Sequence, residues 1–187
     1  MNHIQIYDNI LSKKSCDDII EVFERSPNTR VGILGDSRAM VDRSTKDSTD
    51  LYLYMSSTRN EEESKIRQYV INALSVCTQR YKKKYPFLNK ISPWMINDSY
   101  NIQKFDEGQG YHGVHCEHGK DVYKRMLVWM IYLNNAKCGT RFYYPRRDVK
   151  AKQGRVVLWP PDWTHPHSGI TPNKGKKYIV TGWFSYN

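Results

Sequence analysis

Two segments decide how this chain folds: "RMLVWMIYLN", residues 125–134, and "KYIVTGWF", residues 177–184. In an extended strand successive side chains point to opposite faces, so a strand with one wet face alternates apolar and polar residues. Neither segment alternates in that way. Each is apolar on both faces and needs cover above and below. One face can line the inside of a β-sandwich or barrel while the other receives a separate layer.

The upstream half supplies that layer. In "SKKSCDDIIEVFERSP", residues 12–27, Ser12 or Ser15 offers a cap, acidic residues fall in the first turn, and Ile19, Ile20, Val22 and Phe23 form an apolar stripe ended near Pro27. From Glu61 to Lys84, apolar Ile66, Val70, Ala73, Leu74, Cys77 and Tyr81 recur at helical steps. Three glutamates at the start and a lysine run at the end match the helix dipole. Between them, residues 31–55 read as one or two strands. After Pro93 the apolar segments are short, rich in branched and aromatic side chains, and separated by glycine, proline or asparagine. They predict strands at 98–105, 110–117, 125–134, 140–144, 155–160 and 176–185, with a short piece at 165–169. The expected fold is α+β with a mainly β core, a jelly roll buttressed by N-terminal helices. It forms a single domain over 1–187, in which 1–97 is helical support with flanking strands and 98–187 is the core.

Composition narrows the setting. A chain of 187 residues with 39% apolar side chains can bury one core. No run approaches the roughly 18 to 20 apolar residues of a membrane span, and the first residues lack the apolar block of a secretion signal. Cys16, Cys77, Cys116 and Cys138 form no CxxC pair. The expectation is a soluble cytoplasmic protein with free thiols and no membrane partner. The net charge is +10: residues 1–100 hold 15 basic and 13 acidic side chains, and residues 101–187 hold 14 and 6. Such a surface draws anions, from nucleic acid to a small dicarboxylate. The clusters "RYKKKY" and "RRDVKAKQGR" read as solvated charge.

"GYHGVHCEHG", residues 110–119, concentrates chemistry-bearing side chains. On a strand, His115 and Glu117 project to one side about 6.6 Å apart at Cα, so both can reach one ion, while Cys116 points away. A third ligand can come from "DWTHPHSG", which offers His165 and His167. Two imidazoles and a carboxylate on one face, with the other positions open, suit iron(II). The stretch also admits a zinc site using His115, Cys116, His118 and Cys138, a Cys/His nucleophilic pair, or an exposed polar loop without chemistry. Lys177 shares one strand face with Ile179, Thr181 and Trp183. If that face is the barrel interior, its ammonium needs an anion, and a small carboxylate ligand is the natural partner. The other possibility is a lysine that ends a turn beside Lys174 and Lys176 and points to solvent.

Taken together, "GYHGVHCE", "VWMIYLNNAKCGTRFYYP", "VKAKQGRVVLWP" and "THPHSGITPNKGKKYIVTGWF" resemble the iron(II)/2-oxoglutarate-dependent dioxygenases, in the prolyl 4-hydroxylase-like branch with its short phage-encoded members. "IYDNILSKKSCDDIIEVFE" resembles the branch's N-terminal helix, so the likeness spans nearly the whole chain. The resemblance implies a double-stranded β-helix and Fe(II) held by His115, Glu117 and His167, with His165 the alternative distal ligand. It also implies that Lys177 anchors 2-oxoglutarate, with Tyr132 and Thr181 as further donors to the same carboxylate. Ascorbate would support turnover. Glu117 stands where aspartate is commoner, but a carboxylate is still there, which disfavours a halogenase, and Phe105 stands where a cosubstrate-binding tyrosine is frequent. The implied reaction is hydroxylation of a peptidyl residue, proline by analogy, with release of succinate and carbon dioxide. A nucleic-acid substrate is the alternative, disfavoured because the arginine-rich cosubstrate motif of such demethylases is missing. A non-catalytic cupin-like metal-binding module is the third. Substrate-facing loops are expected at 36–50 and 118–125.

Overall fold

The computed structural model describes residues 3–34 and 40–187; the first four residues of the 36–50 loop lie outside the described residues. Helix α1 covers Lys13–Arg25 and α2 covers Glu61–Lys84. Ser12 caps α1 by accepting from the Ser15 amide at 3.0 Å. The helix begins at Lys13, so the acidic residues expected in its first turn fall one turn later. There Asp17 and Asp18 pair with Lys13 and Lys14 at i,i+4 spacing. Asn60 caps α2 by accepting from the Glu63 amide at 2.9 Å, and acidic and basic residues occupy its two ends as the dipole favours.

Eleven strands form two antiparallel sheets: β1 (Gln5–Tyr7), β2 (Arg30–Val31), β3 (Thr49–Tyr54), β4 (Trp94–Ile96), β5 (Ser99–Phe105), β6 (Arg125–Tyr132), β7 (Gly139–Phe142), β8 (Arg147–Lys150), β9 (Arg155–Trp159), β10 (His167–Ile170) and β11 (Lys177–Tyr186). The large sheet runs β1-β9-β6-β11-β5-β3-β2, with β4 added to β11, and the small sheet runs β10-β7-β8. This is a jelly roll buttressed by two helices, as expected. The two-faced strands sit at its centre. On β6, Leu127, Trp129 and Ile131 pack toward the helices with Ile19, Phe23, Val70 and Leu74. Val128 and Tyr132 face the interior, where they join Phe142 and Val149 of the small sheet and Trp159 and Ile179 of the large one. All six apolar residues named for α2 are buried.

Three expectations change. Residues 110–117 form no strand; only isolated bridges join Tyr111 to Lys46 and His115 to His167. The "RRDVKAKQGR" cluster is not all solvated charge. It contains β8, which buries Val149 while Arg141 on β7 grips Asp148 with two bonds of 2.9 and 2.8 Å. Strand β1 along the edge of β9 was also unforeseen.

Gly154 ties the N-terminal arm to the sheet. Its φ is +75°, and a Cβ there would lie 2.2 Å from the Leu11 carbonyl oxygen, while its own carbonyl accepts from the Ile10 and Leu11 amides. Gly154→Ala is expected to lower stability by roughly 2–4 kcal/mol, checked by urea unfolding. Among the described residues no helix is long and apolar enough to cross a membrane. All four cysteines are free thiols.

Candidate active site

His115 and Glu117 lie on the long loop between β5 and β6, and backbone bonds place that loop against β10. His115 and His167 exchange amide-to-carbonyl bonds of 3.0 and 2.8 Å, the Glu117 amide donates to the Pro161 carbonyl at 2.8 Å, and the Gly169 amide donates to the Tyr111 carbonyl at 2.7 Å. A strand here would need a continuous ladder. Instead the Gly113 carbonyl turns to meet His115 Nδ1 at 3.0 Å, and the His112 and Gly113 amides donate to Thr45. The expected sharing of one side by His115 and Glu117 nevertheless holds.

Three ligand atoms converge. His115 Nε2 and His167 Nε2 each lie 3.5 Å from the same Glu117 oxygen, Oε1. Donor atoms of these three residues all fall within 4.8 Å of one another, the one such group among the described residues. Each imidazole has its other nitrogen beside a carbonyl, Nδ1 of His115 at Gly113 and Nδ1 of His167 at the His165 carbonyl, 3.0 Å in both cases. A proton on Nδ1 leaves the Nε2 lone pair free for an ion, the outer-partner arrangement common at metal centres. Tyr111 stacks on His115 with centroids 3.8 Å apart, fixing the ring, and burial pushes its hydroxyl up to about 12. Burial alone would raise the Glu117 carboxyl. With a proton on Nε2, in the place an ion would take, hydrogen bonding from the facing imidazoles more than offsets that and holds it well below the usual carboxylate range. Its second oxygen, Oε2, accepts from Trp183 Nε1 at 3.0 Å.

Lys177 lies inside the barrel rather than in solvent, 3% exposed. Its ammonium sits 4.3 Å over the Phe105 ring and would be 3.5 Å from a Cβ at Gly169. No carboxylate or hydrogen-bond acceptor partners it among the described residues. Burial pulls its pKa down to about 8, with nearby Cys138 opposing slightly. Phe105, in the place where a tyrosine hydroxyl is frequent, thus offers a ring face to the cation. Gly169 follows His167 by two residues on β10, so the ammonium stands about 7 Å along that strand from the ligand. Thr181 faces the same interior but donates its hydroxyl to the Trp129 carbonyl at 3.0 Å. The Tyr132 hydroxyl is buried 2.7 Å from Thr140 Oγ1.

His165 does not join the group of three ligand residues. Its Nδ1 meets the Thr164 hydroxyl at 2.7 Å and its carbonyl orients His167. Cys116 lies near the His118 carbonyl, His118 turns to the Arg125 carbonyl at 2.7 Å, and neither joins the cluster, so no four-ligand zinc group or Cys/His pair forms among the described residues. A cavity of about 970 Å³ walled by Tyr81, Phe87 and Tyr144 touches His165, but none of the three ligands lines it. Sequence reasoning missed Arg125 and missed Trp183 as a partner of Glu117, although Trp183 was on the face named for Lys177.

A jelly roll holding two imidazoles and a carboxylate on one face, beside a buried ammonium, has the form of an iron-dependent oxygenase. Residues 100–185 match the model of the 2OG-Fe(II) oxygenase superfamily. No match is found among curated proteins. Among solved structures, the chain is similar to a viral collagen prolyl hydroxylase from Paramecium Bursaria Chlorella virus-1 in complex with 2OG, at 17% identity over 100% of this chain and 97% of that one, with TM-score 0.67. It is similar to a prolyl-4-hydroxylase from Pseudomonas putida at 15% identity over 100% and 94%, TM-score 0.68. A prolyl hydroxylase from Trichoplax adhaerens, in complex with a hypoxia inducible factor oxygen degradation domain peptide fragment, matches at 17% over 99% and 84%, TM-score 0.73. The family match covers a little under half of the chain, the fold is that of the prolyl hydroxylases, and Fe(II) and 2-oxoglutarate are the cofactors that the matched family implies. The residues present fit both: a nitrogen, nitrogen and oxygen donor set for the ion, and an unpaired buried ammonium for an anion.

Proposed function

We propose that the protein hydroxylates a peptidyl residue, proline the first candidate, and converts 2-oxoglutarate to succinate and carbon dioxide. The observation that carries this reading is the meeting of both Nε2 atoms at one Glu117 oxygen, with a partnerless ammonium further along the same interior. His115, Glu117 and His167 would hold Fe(II), and Lys177 would hold the far carboxylate of 2-oxoglutarate, with Tyr132 and Thr181 as further donors once they exchange their protein partners. When bound, the iron and 2-oxoglutarate would supply the electrons that activate oxygen for attack on a C–H bond.

The chain's own residues orient and shield. Gly113 and His165 carbonyls keep the imidazole protons on Nδ1, Tyr111 stops His115 from turning, and the apolar wall of Phe142, Trp159 and Ile179 keeps water from the interior. Register supports a peptide partner. His167 pairs with Phe142, so Tyr143 and Tyr144 after β7 and Trp163 before β10 cluster at the His167 end of the small sheet, all exposed. Large ring faces there suit an extended peptide.

Two outcomes are expected. Succinate forms on addition of iron, ascorbate and 2-oxoglutarate, and mass spectrometry finds a gain of one oxygen on proline-containing peptides; oxygen gained by oligonucleotides and not by peptides would overturn the substrate class. Affinity for 2-oxoglutarate falls as pH rises above about 8, because the ligand needs the ammonium form of Lys177 and the free protein releases that proton near there. Calorimetry in buffers of different ionisation heat should show proton uptake on binding in that range.

A further inference from the structure

The metal reading assigns Glu117 a place where the resembled family more often has aspartate, and the structure shows what receives the extra length. Oε1 faces both imidazoles, while Oε2 is addressed by two other donors. Trp183 Nε1 lies at 3.0 Å and Arg125 Nη1 at 3.3 Å, and the same Nη1 also reaches the Glu117 backbone carbonyl at 3.2 Å. The Arg125 guanidinium stacks 3.7 Å over the Trp183 ring, so the two donors brace each other.

Arg125 reaches this place through an irregularity. By strict alternation it would share the helix-facing side of β6 with Leu127 and Trp129. The register of β6 against β11 shifts between Phe184 and Ser185, where Leu127 opposes Phe184 but Arg125 opposes Ser185. Met126 is the extra residue, and it packs with Leu127 on the helix side. A bulge of this kind re-aims the neighbouring side chain. It turns Arg125 onto the interior face, beside Trp183.

We infer that Arg125 and Trp183 are positioning residues that hold Oε2 of Glu117, so the glutamate presents Oε1 alone to the ion and the site is built for the longer carboxylate. This rests on the metal reading. It follows that aspartate at position 117 would lose the clamp or the ion, and would bind metal worse despite being the family's commoner residue.

The test uses the purified apoprotein titrated with Mn(II) by calorimetry and with Co(II) by visible absorption. Trp183→Phe keeps a ring beside Arg125 while removing the N–H donor with part of the indole, and Arg125→Met removes the other donor. Each should weaken Mn(II) binding 10- to 100-fold, the usual effect of losing an outer partner, and Glu117→Asp should weaken it as well. The Co(II) band shape should change in both clamp variants as Oε2 becomes free to coordinate. With Mn(II) saturating, 2-oxoglutarate affinity should stay at the wild-type value, and circular dichroism should report an unchanged fold. Wild-type Mn(II) affinity and an unchanged Co(II) spectrum in Trp183→Phe and Arg125→Met would overturn the clamp, as would tighter binding by Glu117→Asp. Failure of the wild type to bind Mn(II) would instead overturn the metal reading itself.

Discussion

Glu117→Ala is expected to abolish iron binding and, with it, succinate formation. Glu117 Oε1 is the one atom that lies 3.5 Å from both imidazole nitrogens. Its loss leaves two neutral ligands and no charge to oppose a divalent ion. The fall in metal affinity should exceed the 10- to 100-fold that loss of an outer partner produces. The fold should survive, since Glu117 belongs to neither apolar cluster that holds the sheets and helices together. Equilibrium dialysis against Fe(II) under anaerobic conditions measures the first effect, and thermal unfolding the second. Iron retained at one equivalent by the variant would contradict the assignment.

Lys177→Met should have two effects of opposite sign. Affinity for 2-oxoglutarate should fall more than a hundredfold, because a buried carboxylate deprived of its cation is uncompensated by about 3–5 kcal/mol. Metal affinity should be unchanged. At the same time the unliganded variant should be more stable than the wild type by about 1–3 kcal/mol at neutral pH, since the interior no longer holds an unpaired ammonium. The pH dependence follows from the direction of the shift. Lys177 titrates near the usual 10.5 in the unfolded chain and at about 8 in the fold, so its penalty is complete below about 8 and vanishes as pH climbs toward 10.5. The stability gain of the variant should shrink over that range. A variant that is less stable and binds 2-oxoglutarate normally would place the cosubstrate elsewhere.

How much of this was legible in the sequence varies with the physics of each element. The two-faced apolar strands at 125–134 and 177–184 were readable because a strand covered on both sides has no room for alternation, and both are central in the large sheet. Helix α2 was readable from its apolar spacing and charged ends. Strand β8 was hidden because an edge strand in a small sheet buries only one side chain in its middle, Val149, among charges. The 110–117 segment misled because ligands that share a side look alike on a strand and on an extended loop pinned by backbone bonds. His115 and Glu117 stood out through residue type and spacing, while the choice of His167 over His165 and an interior Lys177 came from the family resemblance. Arg125 was not accessible, since its orientation depends on a one-residue bulge that leaves no mark in the alternation pattern.

The central claim is that His115, Glu117 and His167 share one ion within reach of a dicarboxylate held by Lys177. Anomalous diffraction from crystals grown with Mn(II) and 2-oxoglutarate tests it most directly. The expected result is a single strong peak within bonding distance of both Nε2 atoms and a Glu117 oxygen, with the far carboxylate of 2-oxoglutarate on the Lys177 ammonium. A peak at any other set of side chains, or 2-oxoglutarate bound away from Lys177, would contradict it.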